Sequence, residues 1–244
     1  LCVESRIEGK IVSEWIPAQR AKIIALDIET TNLDMKAEGL SFNEPRGWTT
    51  GCVVVYDAWN DHPHYFADVE LSPRHRLRSH LRPLSDLGRC LEHYANKGYI
   101  LLTQNGTLFD LPILSKDLQD GGAGITTQIE NMIHIDPTQL LMRDTGKRYS
   151  LQKLVKGVLG DSASKSMAAA LAPVEWAKGH YAEVIRYCEQ DCRLTAAYFM
   201  QAFLDDSIEA THITGESVTV EVLNPLGWAN EFANLEIIEN LMDS

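Results

Sequence analysis

Residues 22–34 read KIIALDIETTNLD, and no other stretch restricts the fold as much. The first half is a short apolar run of the kind that forms a buried strand. Asp27 and Glu29 then fall two residues apart, on one face of that strand, because side chains alternate in direction along an extended chain. A hydrophobic strand carries two acids on one face only where something offsets the cost of burying charge. The pair therefore points to a bound cation before any other element is considered.

Chain length sets the frame around that strand. The 244 residues suffice for one large domain, or for a domain with an appendage. The pattern divides into a leader over 1–21, a domain over 22–204 and an acidic extension over 205–244. The composition, 45% hydrophobic and 23% charged, is that of an ordinary globular protein. No apolar run approaches the roughly 18 to 20 residues of a membrane span, and the first residues lack signal-peptide form. Five scattered cysteines read as reduced thiols. The expectation is an intracellular, cytoplasmic protein without membrane contact. Cys188 and Cys192 can share a helix face, but no second ligand pair accompanies them to complete a zinc site.

A net charge of −12, spread evenly, would disfavour a nucleic-acid partner. It is not spread evenly. Beyond Arg193 there are nine acids and no Lys or Arg, so the main body is close to balance and the extension suits a protein partner or simple packing. Residues 73–83 (PRHRLRSHLRP) hold Arg74, Arg76, Arg78 and Arg82 with no acid, either as a solvated loop or as an edge that contacts phosphates.

Element patterns place these features. Strands are expected at 22–29, 52–56 and 64–68 with no helix between them, which makes an antiparallel meander. A helix over 84–97 stops at Gly98, and a fourth strand follows at 99–102. The segment TQNGTLFDLPIL then ends the strand and opens a helix around Asp110. A fifth strand is expected at 132–135, a short helix from Pro137, and an amphipathic helix over 151–159 after Ser150. The longest helical pattern runs over 180–204. A short strand at 218–222 and an acidic amphipathic helix at 228–242 complete the reading.

Three separated segments thus offer carboxylates at the ends of regular structure: Asp27 and Glu29, then Asp110, then Asp191. Tyr187 precedes Asp191 by four residues and shares its helix face. Convergence of four carboxylates would cost several kcal/mol per uncompensated charge. Two divalent cations would neutralise them, and all-oxygen ligands suit Mg²⁺ or Mn²⁺ better than Zn²⁺. Paired cations of this kind support in-line displacement at a phosphodiester.

ALDIETTNLD, NGTLFD and YCEQD resemble the three motifs of the DEDD superfamily of 3′–5′ exonucleases, in its tyrosine branch, which includes the proofreading domain of family A DNA polymerases. The resemblance spans about residues 22–204 and includes SLQKLVKGVLG. It implies a ribonuclease H-like fold: a mixed five-stranded sheet, antiparallel meander then parallel strands, flanked by helices. It also implies a phosphodiester hydrolase that releases nucleoside 5′-monophosphates from the 3′ end of single-stranded DNA or RNA; the scarcity of long-range basic patches leaves open a substrate that is only a very short oligonucleotide. Asp27, Glu29, Asp110 and Asp191 match the ligands of two divalent cations, Mg²⁺ or Mn²⁺, and Tyr187 matches the residue that orients the attacking water. Leu33 matches the apolar residue set against the terminal base, Asn105 the asparagine near the substrate, and Thr30 a neighbour of the 3′-terminal nucleotide. A binding module that keeps the acids without turnover is the alternative, which the complete set of four acids and a tyrosine disfavours.

Overall fold

The computed structural model describes residues 6–7, 10–11, 22–119, 124–160, 167, 169–205, 207–211 and 216–221. In chain order the strands are β1 (Arg6–Ile7), β2 (Lys10–Ile11), β3 (Ile23–Thr30), β4 (Thr50–Asp57), β5 (His62–Phe66), β6 (Leu81–Arg82), β7 (Ile100–Thr103), β8 (Ile133–Ile135), β9 (Ser207–Thr211) and β10 (Ser217–Glu221). The helices are α1 (Leu87–Asn96), α2 (Asp110–Gln119), α3 (Thr126–Glu130), α4 (Pro137–Thr145), α5 (Leu151–Leu159), α6 (Ala172–Ala177) and α7 (Tyr181–Leu204).

Six strands form one mixed sheet in the order β6-β5-β4-β3-β7-β8. The meander β3-β4-β5 is antiparallel, and β7 and β8 add in parallel on the other side of β3. Helices flank this sheet, an architecture compatible with the ribonuclease H-like fold. Five strands were expected and a sixth is present, because the basic segment after β5 returns as the two-residue β6 and pairs in parallel with Tyr65 and Phe66. So short and cationic an edge strand discourages further pairing. Pro63 is tolerated inside β5 because β6 does not extend to it, leaving that outer edge with no need of an N–H donor.

β3 lies at the centre and feeds both faces. Ile24, Leu26 and Ile28 join Leu87, Leu91 and Leu114 in the layer of α1 and α2. Ala25 faces the opposite way, among Val54, Val184, Tyr187 and Cys188 beneath α7. Each large apolar side chain buried in these layers contributes about 1.5–3 kcal/mol relative to exposure. A third cluster holds Leu102, Ile135, Leu154, Tyr198 and Phe199, and Ile208 and Ala210 of β9 complete it. The β9–β10 hairpin therefore packs on α5 and α7. A Cβ at Gly157 of α5 would overlap the backbone at Glu209, so only glycine admits that approach.

Near the N-terminus, β1 and β2 pair with each other, Arg6 opposite Ile11. The rest of the 1–21 leader and the acidic helix expected at 228–242 lie outside the described residues. Among the described residues no helix is long and apolar enough to cross a membrane.

Candidate metal centre

Asp27 and Glu29 sit near the C-terminal end of β3 on the face covered by α7. The four-residue spacing of Tyr187 and Asp191 turns both toward that strand. Carboxylate oxygens of Asp27, Glu29 and Asp191 all lie within 4.8 Å of one another. Beside Glu29 the pairing with β4 slips: Glu29 faces Cys52 while Thr30 faces Thr50, leaving Gly51 as a bulge. Thr30, 7% exposed, sits at this register shift, one residue beyond Glu29.

Asp110 arrives by a different route. It opens α2, is 5% exposed, and its Oδ1 accepts the Ile28 N–H at 3.1 Å. Ile28 separates the two strand acids, so Asp110 is fastened to their strand, although it is not one of the three residues grouped within 4.8 Å. Burial pushes its carboxyl up to about 7, opposed by backbone N–H donors at Asp110 and Ile28 and reinforced by the charge of Asp136.

Tyr187 is 1% exposed. Burial raises its hydroxyl well above the ordinary tyrosine value, and the charges of Asp191, Glu29 and Asp27 and a hydrogen bond with Asp191 raise it further. It remains a neutral hydroxyl next to the acids. Below them the Cys188 thiol donates to the Asp27 carbonyl at 3.3 Å and the Cys192 thiol to the Val54 carbonyl at 3.4 Å. Burial pushes Cys192 up to about 11 and raises Cys188 well above the ordinary thiol value, so both are neutral packing groups rather than thiolate ligands.

The turn between β7 and α2 is held by a residue that the sequence reading did not single out. Asp136 is fully buried and caps α4 through the Thr138 N–H at 3.0 Å. The same carboxylate accepts from Asn105 N–H at 2.9 Å and Thr107 N–H at 3.0 Å. Asn105 has φ of 65°, a left-handed conformation that asparagine tolerates better than most residues. Gly106 follows, and a Cβ there would overlap the Thr103 side chain. The aspartate directly before Pro-Thr at a helix start is itself a capping signal that sequence can offer.

Asn105 lines a cleft of about 320 Å³ together with Asp27, Asp191, Gln104, Arg148 and Tyr149. Gln104 is fixed from both sides, accepting from the Tyr198 hydroxyl and donating to Thr138 Oγ1 at 2.6 Å. Neither Gln104 nor Arg148 was expected at this wall, since no local pattern marks them. Leu33 is 57% exposed on the loop after β3. Glu38 shapes that loop by accepting from Leu33 N–H at 2.8 Å, Asp34 N–H at 3.0 Å and Asn32 Nδ2 at 2.6 Å.

The three grouped acids have the spacing to hold a metal ion, and an all-oxygen donor set suits a hard divalent cation. Glu175, His180 and Glu183 form another such group, but Lys178 Nζ already sits 2.7 Å from Glu175.

No protein-family model matches the sequence, and no curated protein does. Solved structures that resemble the fold include the family B DNA polymerase from the hyperthermophilic archaeon Pyrobaculum calidifontis, at 14% identity and a TM-score of 0.49, covering 75% of this chain. The match spans only 25% of the polymerase chain. A likeness this distant carries no function with it, so the functional reading rests on the side chains of the site.

Proposed function

We propose that this chain is a divalent-metal-dependent 3′–5′ exonuclease that removes nucleoside 5′-monophosphates from single-stranded DNA or RNA. The carrying observation is the approach of Asp27, Glu29 and Asp191 within 4.8 Å, with Asp110 bonded to the strand between the first two. Three carboxylates so close repel one another, and cations relieve that repulsion.

Asp27, Glu29, Asp191 and Asp110 would hold two Mg²⁺ or Mn²⁺ ions. When bound, such ions activate water and stabilise the leaving oxygen at a phosphodiester. The chain's own groups do the positioning. Tyr187 offers a hydroxyl that stays protonated, which suits orienting a water and not removing its proton. Leu33 presents an exposed apolar side chain to a terminal base, while Asn105 and Thr30 border the position of its nucleotide.

Digestion of 3′-ended DNA and RNA oligomers with and without each metal tests this reading. Stepwise release of mononucleotides is expected with metal and is lost in Asp27→Ala. Intact substrates in both metals would sink it.

A further inference from the structure

Residues 72–82 are not explained by the acid site. They carry Arg74, Arg76, Arg78 and Arg82 with no acid among them, in a chain of net charge −12. Three observations bring this segment beside the site. β5 runs parallel to β3, since each is antiparallel to β4, so the chain leaving β5 emerges at the same end of the sheet as Asp27 and Glu29. Leu77 and Leu81 pack into the cluster beneath α7 that also contains Tyr187. Arg186, the residue before Tyr187, places Nη2 3.4 Å from Nε2 of His75.

Arg74, Arg76, Arg78 and Arg186 are exposed, and among the described residues none has a carboxylate partner. Arg82 is set apart from them, because it lines a separate cleft with His64 and Tyr94 on the α1 side of the sheet. Exposed guanidinium groups carried on one short segment and on the facing helix suit phosphate groups, with which they form charge-assisted hydrogen bonds. Arg76 and Arg78 lie in the turn that leads directly into the edge strand β6, which stands three strand spacings, about 14 Å, from β3. That distance corresponds to about four phosphates at the 3.4 Å rise of a stacked strand.

We infer that this arginine edge carries the sugar-phosphate backbone of a single-stranded nucleic acid whose 3′ end lies at the acids. The inference rests on the exonuclease reading for its polarity, and it adds a length requirement: a long strand engages the edge and a dinucleotide does not.

The test compares wild type with a triple variant, Arg76→Ala, Arg78→Ala and Arg186→Ala, and with the corresponding triple lysine variant. Binding of a labelled long single strand is measured by fluorescence anisotropy in EDTA over a series of salt concentrations, so that no cleavage intervenes. The alanine variant is expected to bind about tenfold more weakly. Its dependence of log Kd on log salt should be shallower by about 2, from three contacts at about 0.7 each. The lysine variant should stay near wild type, which separates charge from any structural effect. Wild-type affinity and salt slope in the alanine variant would overturn the inference. Dinucleotide digestion in Mn²⁺, expected to be equal in wild type and the alanine variant, reports on the acid site separately. If wild type digests nothing, the exonuclease reading fails while the binding comparison still decides the edge.

Discussion

Asp136 holds Asn105 across 31 residues of sequence: its buried carboxylate accepts the Asn105 N–H at 2.9 Å and so fixes a left-handed residue at the wall of the cleft. Asp136→Asn replaces one acceptor oxygen by a donor that faces another N–H. The expected cost is about 2–3 kcal/mol, read as a lower urea midpoint. Because the same turn leads into Asp110, the folded fraction of the variant should also lose metal-dependent turnover. An unchanged midpoint would refute the role assigned to Asp136.

Asp191→Asn removes one of three mutually repelling carboxylates. The metal-free variant should melt at or above the wild-type temperature, since a like-charge interaction is relieved. Mn²⁺ should raise the wild-type melting temperature and leave the variant nearly unmoved, with turnover at least about a hundredfold lower. Equal stabilisation of both proteins by Mn²⁺ would place the metal elsewhere.

Gly106→Ala introduces a methyl group into the space of the buried Thr103 side chain, itself 2.8 Å from His134 Nε2. Thr103 has no solvent-facing direction in which to move. The variant should lose about 1–3 kcal/mol by overpacking, measured by chemical denaturation.

His64 supplies a pH dependence. Burial, with the nearby charges of His62 and Arg82, lowers its imidazole to about 4. A histidine with a folded value below its unfolded one adds stability in full above the unfolded value of about 6.5, and that stability is lost as pH falls toward 4. The side chain is only half-buried, so a loss of about 1 kcal/mol is expected between pH 7 and pH 5. His64→Gln should flatten the urea midpoint over this interval, and an identical slope in the two proteins would exclude the assignment.

Leu33→Ala separates binding from folding. The side chain is 57% exposed, so its truncation should change stability by less than about 0.5 kcal/mol. If Leu33 contacts the terminal base, KM for a 3′ end should rise several-fold with kcat little affected. Unaltered KM would remove Leu33 from the binding surface.

The sheet was legible because its signals are local. The apolar run ahead of Asp27 and Glu29, the CVVVY run and the Tyr-x-x-x-Asp spacing can each be read within one element, and the packed order of strands then joins them. Asp136 was not legible as a site residue: its capping role is visible in Asp-Pro-Thr, whereas its bonds to Asn105 and Thr107 exist only after β7 and β8 pair. Arg148 and Gln104 reach the cleft through tertiary packing alone. The sixth strand escaped for a related reason, since a two-residue strand has no period of its own and forms only on the open edge of β5.

The β9–β10 hairpin meets α5 at Gly157, where no side chain fits, and Glu216, directly before β10, pairs with Lys147 beside the cleft residue Arg148. With Ile208 and Ala210 also buried against Leu154, Tyr198 and Phe199, the hairpin is built into the same packed body as the segment that leads into the cleft wall.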